Sequence, residues 1–198
     1  MQNHLLKGAF AVLIVLMAAV FIWKPLSLPF SKSNINNDFV LQTVDGQLDS
    51  KSLRGKVLAA VFAYTDCPEA CAAPLVKLAK AYALLNERER TSVQLVLISA
   101  DPERDTPARI KEYAARFHPD IIAATGKPQE IQAVAEGFAA QIQKSSTTDG
   151  GQVINLNPFI YIVDAEGRFS SVLNENISPE SVAQSLRSKI PPHLPPVN

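Results

Sequence analysis

The sequence predicts an α/β fold: a central, largely parallel sheet with flanking helices, preceded by one transmembrane helix. Three observations carry this expectation. Two continuous apolar runs of strand length, KVLAAVFAY (56–64) and VQLVLIS (93–99), read as strands covered on both faces. Stretches of helical periodicity separate and follow them, which is the pattern of right-handed βαβ crossovers. Finally, GAFAVLIVLMAAVFIW (8–23) contains neither charge nor proline.

That apolar stretch is bracketed by Lys7 and Lys24. A bilayer core takes roughly 20 apolar residues, so the segment spans it if Lys24 snorkels to the interface. Bulky FIWKPLSLPF follows it and offers no small-x-small cleavage site, so an uncleaved anchor is expected rather than a signal peptide. Residues 1–7 then form a cytoplasmic amino terminus, 8–24 the anchor and 25–37 a tether with two prolines and a polar SKSNINN patch. The folded domain occupies 38–190, on the far side of the membrane, and 191–198 form a proline-rich tail.

Within the domain, FVLQTV and QLDS flank Asp45-Gly46 and read as a hairpin. After the first buried strand, apolar positions Leu75, Leu78, Ala79, Tyr82 and Leu85 mark a helix over 72–86. The second buried strand is followed by Thr106-Pro107, a cap and a first-turn proline, opening a helix with Ile110, Tyr113, Ala114 and Phe117 on its apolar side. A third helix covers 129–139. NLNPFIYIV (155–163) reads as a strand, DAEG (164–167) as a turn into RFSSVL, and Ser178-Pro179 as the start of a last helix to 189. A hairpin, then βαβα, then ββα is the layout of a thioredoxin-like fold.

Lysine plus arginine equal aspartate plus glutamate, 19 each, with no long run of one sign, which excludes a nucleic-acid binder held by a basic footprint. Nearly half the residues are hydrophobic (47%), enough for a core without staples, so the two cysteines are not needed as scaffolding. Both fall in TDCPEAC. A bond between Cys67 and Cys71 closes a very small loop and adds little through chain entropy, so chemistry is the better reason for the pair.

Cys67 stands where a buried strand ends and a helix begins. The unpaired amides of a helix start favour thiolate, Pro68 suits the first helical position, and open α/β sheets place their sites at this edge. Cys71 lies one turn on, with a Cα spacing of roughly 6 Å that a disulfide tolerates. Pro74 is expected to kink this helix. Two cysteines without a second pair or an HxxxH cannot close a tetrahedral zinc site. Inert core packing is the competing reading, and the position of the pair argues against it.

TDCPEAC resembles the T-x-C-P-x-x-C motif of the SCO/SenC family, membrane-anchored proteins implicated in assembling the copper centre of cytochrome c oxidase. DPERDTP (101–107) resembles the D-P-x-R-D-T block of that family. The NDFVLQTVDGQ and LRGKV lead-in, the F-x-Y-T strand and FIYIVDAEG fit as well, so the resemblance covers about residues 38–189. It implies a thioredoxin-like domain facing the periplasm of a bacterial inner membrane, with the mitochondrial inner membrane as the alternative. In that family two cysteines and a later histidine bind copper, and the cysteines also exchange thiol and disulfide states.

The sequence departs from the family at that histidine, whose position aligns with Leu156 in VINLNPFIY. His4 precedes the anchor, His118 follows the second helix and His193 lies in the tail, so each reads as a surface residue. Two soft thiolates alone can hold copper(I), whereas a three-ligand site is not formed. Pro158 occupies the place of the cis-proline that thioredoxin-like oxidoreductases carry opposite their disulfide, with an ordinary trans-proline as the even alternative. Asp101-Pro102 reads as a turn, Asp105 or Thr106 as a helix cap, and Arg104 or Asp101 near the cysteine loop as a lesser functional reading.

The expected function is thiol–disulfide exchange of oxidoreductase type, if the chain is an enzyme at all, with Cys67 attacking and Cys71 resolving. The expected partner is an exported copper-site protein, a cytochrome oxidase subunit or another thiol protein. No cofactor is required on this reading. The alternatives are a copper(I) chaperone using Cys67 and Cys71, and an assembly module whose disulfide is structural.

Overall fold

A computed structural model describes residues 38–67, 69–146 and 152–192. The expected anchor, tether, Pro68 and residues 193–198 of the tail lie outside these. Among the described residues, no helix is long and apolar enough to cross a membrane.

The domain opens with the expected hairpin, β1 (Val40–Thr43) and β2 (Gly46–Asp49), Thr43 facing Gly46. The turn residues are Val44 and Asp45 rather than Asp45 and Gly46. Gly46 follows at φ 118°, a conformation that only glycine adopts without strain. A single 3₁₀ turn over Ser50–Leu53 leads to β3 (Val57–Ala63), helix α1 (Glu69–Ala83), the short α2 (Glu87–Thr91) and β4 (Val93–Ser99). Then come α3 (Pro107–Ala115), β5 (Ile122–Ala124), α4 (Pro128–Gly137), the hairpin β6 (Ile142–Ser146) and β7 (Gln152–Leu156), β8 (Ile160–Val163), β9 (Phe169–Leu173) and α5 (Pro179–Arg187).

The central sheet has the order β5-β4-β3-β8-β9. β3 runs parallel to β4, and β4 to β5, while β8 and β9 are antiparallel additions. Every residue of β3 is buried, as its continuous apolar run requires of a strand covered twice. Val57, Ala59, Val61 and Ala63 face a layer formed by α1, α3 and α5. The alternate residues Leu58, Ala60 and Phe62 face α4 and the β1–β2 hairpin, where Phe39, Leu41 and Leu48 close the core. Phe138 centres this second layer, edge-on to Phe62 and Tyr161 with centroids 5.8 Å away in each case. Paired amides of Gln42 and Thr125 fasten the hairpin to the end of β5 (2.7 and 2.8 Å).

Three findings bear on the sequence reading of elements beside the site. Helix α1 runs through Pro74 as one continuous helix. The run 155–163 is two strands in two sheets, because Asn157-Pro158-Phe159 breaks it and Phe159 N donates to Asn157 O instead of to a ladder (2.8 Å). The peptide bond before Pro158 is trans, as are all those described.

Candidate functional site

Ala63 and Ser99, the last residues of β3 and β4, stand side by side in parallel register. Both strands therefore discharge at one edge of the sheet, and Ala100 N donates to Ala63 O (2.8 Å) to extend the pairing by one residue. This register, set by the two apolar runs, brings the TDC segment beside the DPERD segment.

The two segments are joined through Asp105. Its carboxylate, 2% exposed, accepts hydrogen bonds from Ser99 Oγ (2.6 Å) and Thr65 Oγ1 (2.5 Å). Thr65 N lies 3.3 Å from each of its oxygens. Thr106, not Asp105, caps α3 by accepting from Arg109 N (3.3 Å). Of the two caps the sequence allowed, the neighbour is thus released to hold the cysteine loop from forty residues away. A buried carboxylate is tolerated because charge-assisted hydrogen bonds replace its hydration.

Asp101 is buried too, at 1% exposure, and pairs with Arg104 within its own turn. Lys144 Nζ, from β6, approaches the other oxygen at 3.9 Å and reaches Glu103 at 3.0 Å. Asp101 and Arg104 thus close a turn and bridge it to the β6–β7 hairpin. Tyr64 is the residue through which they touch the site. Burial raises the pKa of its phenol, Arg104 opposes that rise, and Asp101 and Asp66 add to it. The hydroxyl donates to Ile154 O at 3.5 Å.

Cys67 is half-buried and disulfide-bonded, and Cys71 is the other cysteine of the sequence, placed in the first turn of α1. Cys67 N donates to Tyr64 O (3.1 Å), and α1 begins two residues further on. The Cys67 side chain packs in an apolar cluster of Tyr64, Ala100 and Ile154, with Ile142 and Leu156 on its margin. The hairpin β6–β7 thus shares this cluster with Cys67, and the position singled out as lacking histidine is part of it. Pro158 follows in the link to β8, half-buried.

His118 is engaged elsewhere: its ring packs edge-on to Tyr82 at 5.0 Å and its Nδ1 accepts from Asp120 N (3.1 Å). His4 and His193 lie outside the described residues. Among those described, no three His, Cys, Asp or Glu side chains are grouped to hold a metal. The sequence reading missed the roles of Asp105, Tyr64, Ile142 and Ile154. Only the F-x-Y-T and D-P-x-R-D-T motifs hinted at the first two.

A thioredoxin-like α/β fold with a cysteine at the exit of its central strand is the class these features define. A profile of the SCO1/SenC family matches residues 29–191, and the chain belongs to that family. It is 32% identical over 160 residues to protein SCO1 homolog 1, mitochondrial, of Arabidopsis thaliana, covering 80% of this chain and 48% of that protein. An SCO2-like protein of Rickettsia conorii is 30% identical, covering 78% and 77% of the two chains. The chain therefore spans about half the length of the plant relative and about three quarters of the bacterial one. Among solved structures, Bradyrhizobium japonicum ScoI with copper bound superposes with a TM-score of 0.69 at 33% identity, covering 77% of this chain and 97% of that one. BsSco, described as carrying a disulfide switch and belonging to the Sco family of cytochrome c oxidase assembly proteins, superposes with a TM-score of 0.60 at 27% identity, covering 77% and 91%.

Proposed function

We propose that this chain is a membrane-anchored thiol–disulfide exchange protein of the SCO type, acting on an exported partner during maturation of the cytochrome c oxidase copper site. The observation that carries this reading is the seat of Cys67: a disulfide-bonded cysteine just past the end of the central strand, in an apolar cluster that also takes in Leu156. In the reduced chain the Cys67 thiolate attacks a disulfide of the partner, releasing one partner thiolate and forming a mixed disulfide. The Cys71 thiolate then attacks Cys67 Sγ, releasing the second. Two electrons pass to the partner, the partner's two sulfurs take up two protons, and the chain ends as the Cys67–Cys71 disulfide. A dithiol reductant in the same compartment restores it.

Copper(I) handling is the second reading, favoured by the likeness to the copper-bound Bradyrhizobium protein. Two thiolates are soft donors suited to copper(I). The apolar cluster around Cys67 supplies no third donor among the described residues. Copper on this reading is cargo held by the reduced pair.

Two measurements separate these readings. The reduction potential of the Cys67–Cys71 pair is expected near that of exchange-active proteins, and a value below about −300 mV identifies an inert structural bond instead. Copper(I) titration of the reduced chain against a competing chelator tests the second reading, with Leu156→His expected to tighten binding. No competition from either protein refutes it.

A further inference from the structure

Cys67 also lines a groove of about 720 Å³ between α1, the end of α3 and the start of α5, a size typical of binding clefts. Its floor is apolar: Ala72, Ala73 and Val76 from α1, Phe117 beyond α3, and Pro179. Val76 is 41% exposed, in a helix whose other face is fully committed to the core. The charged lining is cationic, with Lys77, Lys80 and Arg116 against one carboxylate, Glu69, among the described residues. Lys77 Nζ donates to the backbone carbonyl of Glu175, which leaves its charge uncompensated, and among the described residues no carboxylate pairs with Lys77 or Lys80. Arg116 reaches Glu112 only at 3.8 Å in an exposed pair, which is worth little. Tyr113 lines the groove too, and its buried hydroxyl has no hydrogen-bond partner among the described residues.

We propose that this groove docks an acidic, apolar-studded peptide segment of the partner protein, one that flanks the partner's cysteines. Apolar side chains of the segment cover Val76 and Phe117, while its carboxylates meet Lys77, Lys80 and Arg116. Docked there, the segment delivers the neighbouring sulfur to Cys67. The concave shape favours a peptide over a lipid surface, since a bilayer face does not enter a groove between helices. The identity of the partner as a thiol protein rests on the exchange reading above; the groove and its charge do not.

The test uses the full chain in detergent, with empty micelles as the blank. The probe is a short fluorescein-labelled peptide alternating glutamate and leucine, with no cysteine. Fluorescence anisotropy is expected to show binding that weakens with salt and falls at least about tenfold in Lys77→Glu/Lys80→Glu and in Val76→Asp. Circular dichroism checks that these variants are folded. A lysine-leucine peptide is expected not to bind. Equal binding of both peptides, or undiminished binding by the charge-reversed variant, overturns the proposal. So does binding to phosphatidylglycerol vesicles with none to the peptide, or a dimer that the Val76→Asp change dissolves. Binding retained by Cys67→Ser upholds the docking site even where the reduction potential refutes thiol exchange. Absence of peptide binding by the wild-type chain, with normal exchange, refutes the docking site alone.

Discussion

Replacing Asp105 with alanine tests whether the cysteine loop is held from the neighbouring strand. The wild-type carboxylate takes short hydrogen bonds from Ser99 Oγ and Thr65 Oγ1, at 2.6 and 2.5 Å, and is nearly closed to water. Hydrogen bonds to a charged group contribute about 1.5–3 kcal/mol each, and a hydroxyl left buried without a partner adds a further penalty. Water entering the vacated space recovers part of this, so the expected loss is about 3–5 kcal/mol, as for other broken buried networks. Asp105→Asn keeps one acceptor oxygen and is expected to lose about half as much. Urea unfolding of the oxidised proteins measures the loss. Double-mutant cycles with Ser99→Ala and Thr65→Val apportion it, because partners in one network couple while distant sites add. A second readout is local: freed from Asp105, the Thr65–Cys67 segment should expose its disulfide, and reduction by dithiothreitol should quicken. An Asp105→Ala protein within about 0.5 kcal/mol of wild type, reduced at the wild-type rate, would falsify the reasoning.

Phe138→Ala should cost about 3–5 kcal/mol in the same unfolding assay, since the ring is 1% exposed and meets Phe62 and Tyr161 edge-on. At the β8–β9 turn, burial alone would raise the pKa of Asp164, but the amide and guanidinium of Arg168 and the amide of Glu166 more than offset this and hold it below its ordinary value. The stability it contributes is present above the unfolded carboxylate pKa, about 3.9, and is lost as pH falls through the lower folded value. Asp164→Asn should flatten that part of an acid unfolding curve. Burial pushes Tyr161 from 10.0 to about 12. Stability is therefore full below pH 10 and falls as pH rises toward 12, by roughly 3 kcal/mol; Tyr161→Phe should remove this loss in alkaline melts.

The two strands at the centre were legible because burial on both faces leaves continuous apolar runs. The starts of α3 and α5 were legible because Thr106-Pro107 and Ser178-Pro179 combine a capping hydroxyl with a proline at the first helical position. Short elements were not. β5 has three residues between turns, too few for periodicity to emerge. α2, ERERT, has no apolar side at all, and its only sign is the capping box of Asn86 and Glu89. β6 is nearly all exposed, so IQKSS offers no alternation, and without it β7 merged with β8 into one apparent strand. At the site, Cys67 and Cys71 were singled out from local pattern, and Leu156 from the family resemblance. The link from Asp105 to Thr65 did not, since it depends on which strands are neighbours and in what register.

The β6–β7 hairpin supplies Ile142, Ile154 and Leu156 to the apolar cluster that Cys67 packs against, yet its ladder is its own and shares no strand with the central sheet. A two-stranded ribbon is marginal by itself, whereas opening β3 dismantles both core layers. Cys67 therefore follows the strand on which both core layers depend and shares its apolar cluster with a ribbon outside that sheet. Local opening of a ribbon costs less than global unfolding, so the apolar side of the Cys67 seat can loosen while the core layers and the groove on the α1 side stay in place.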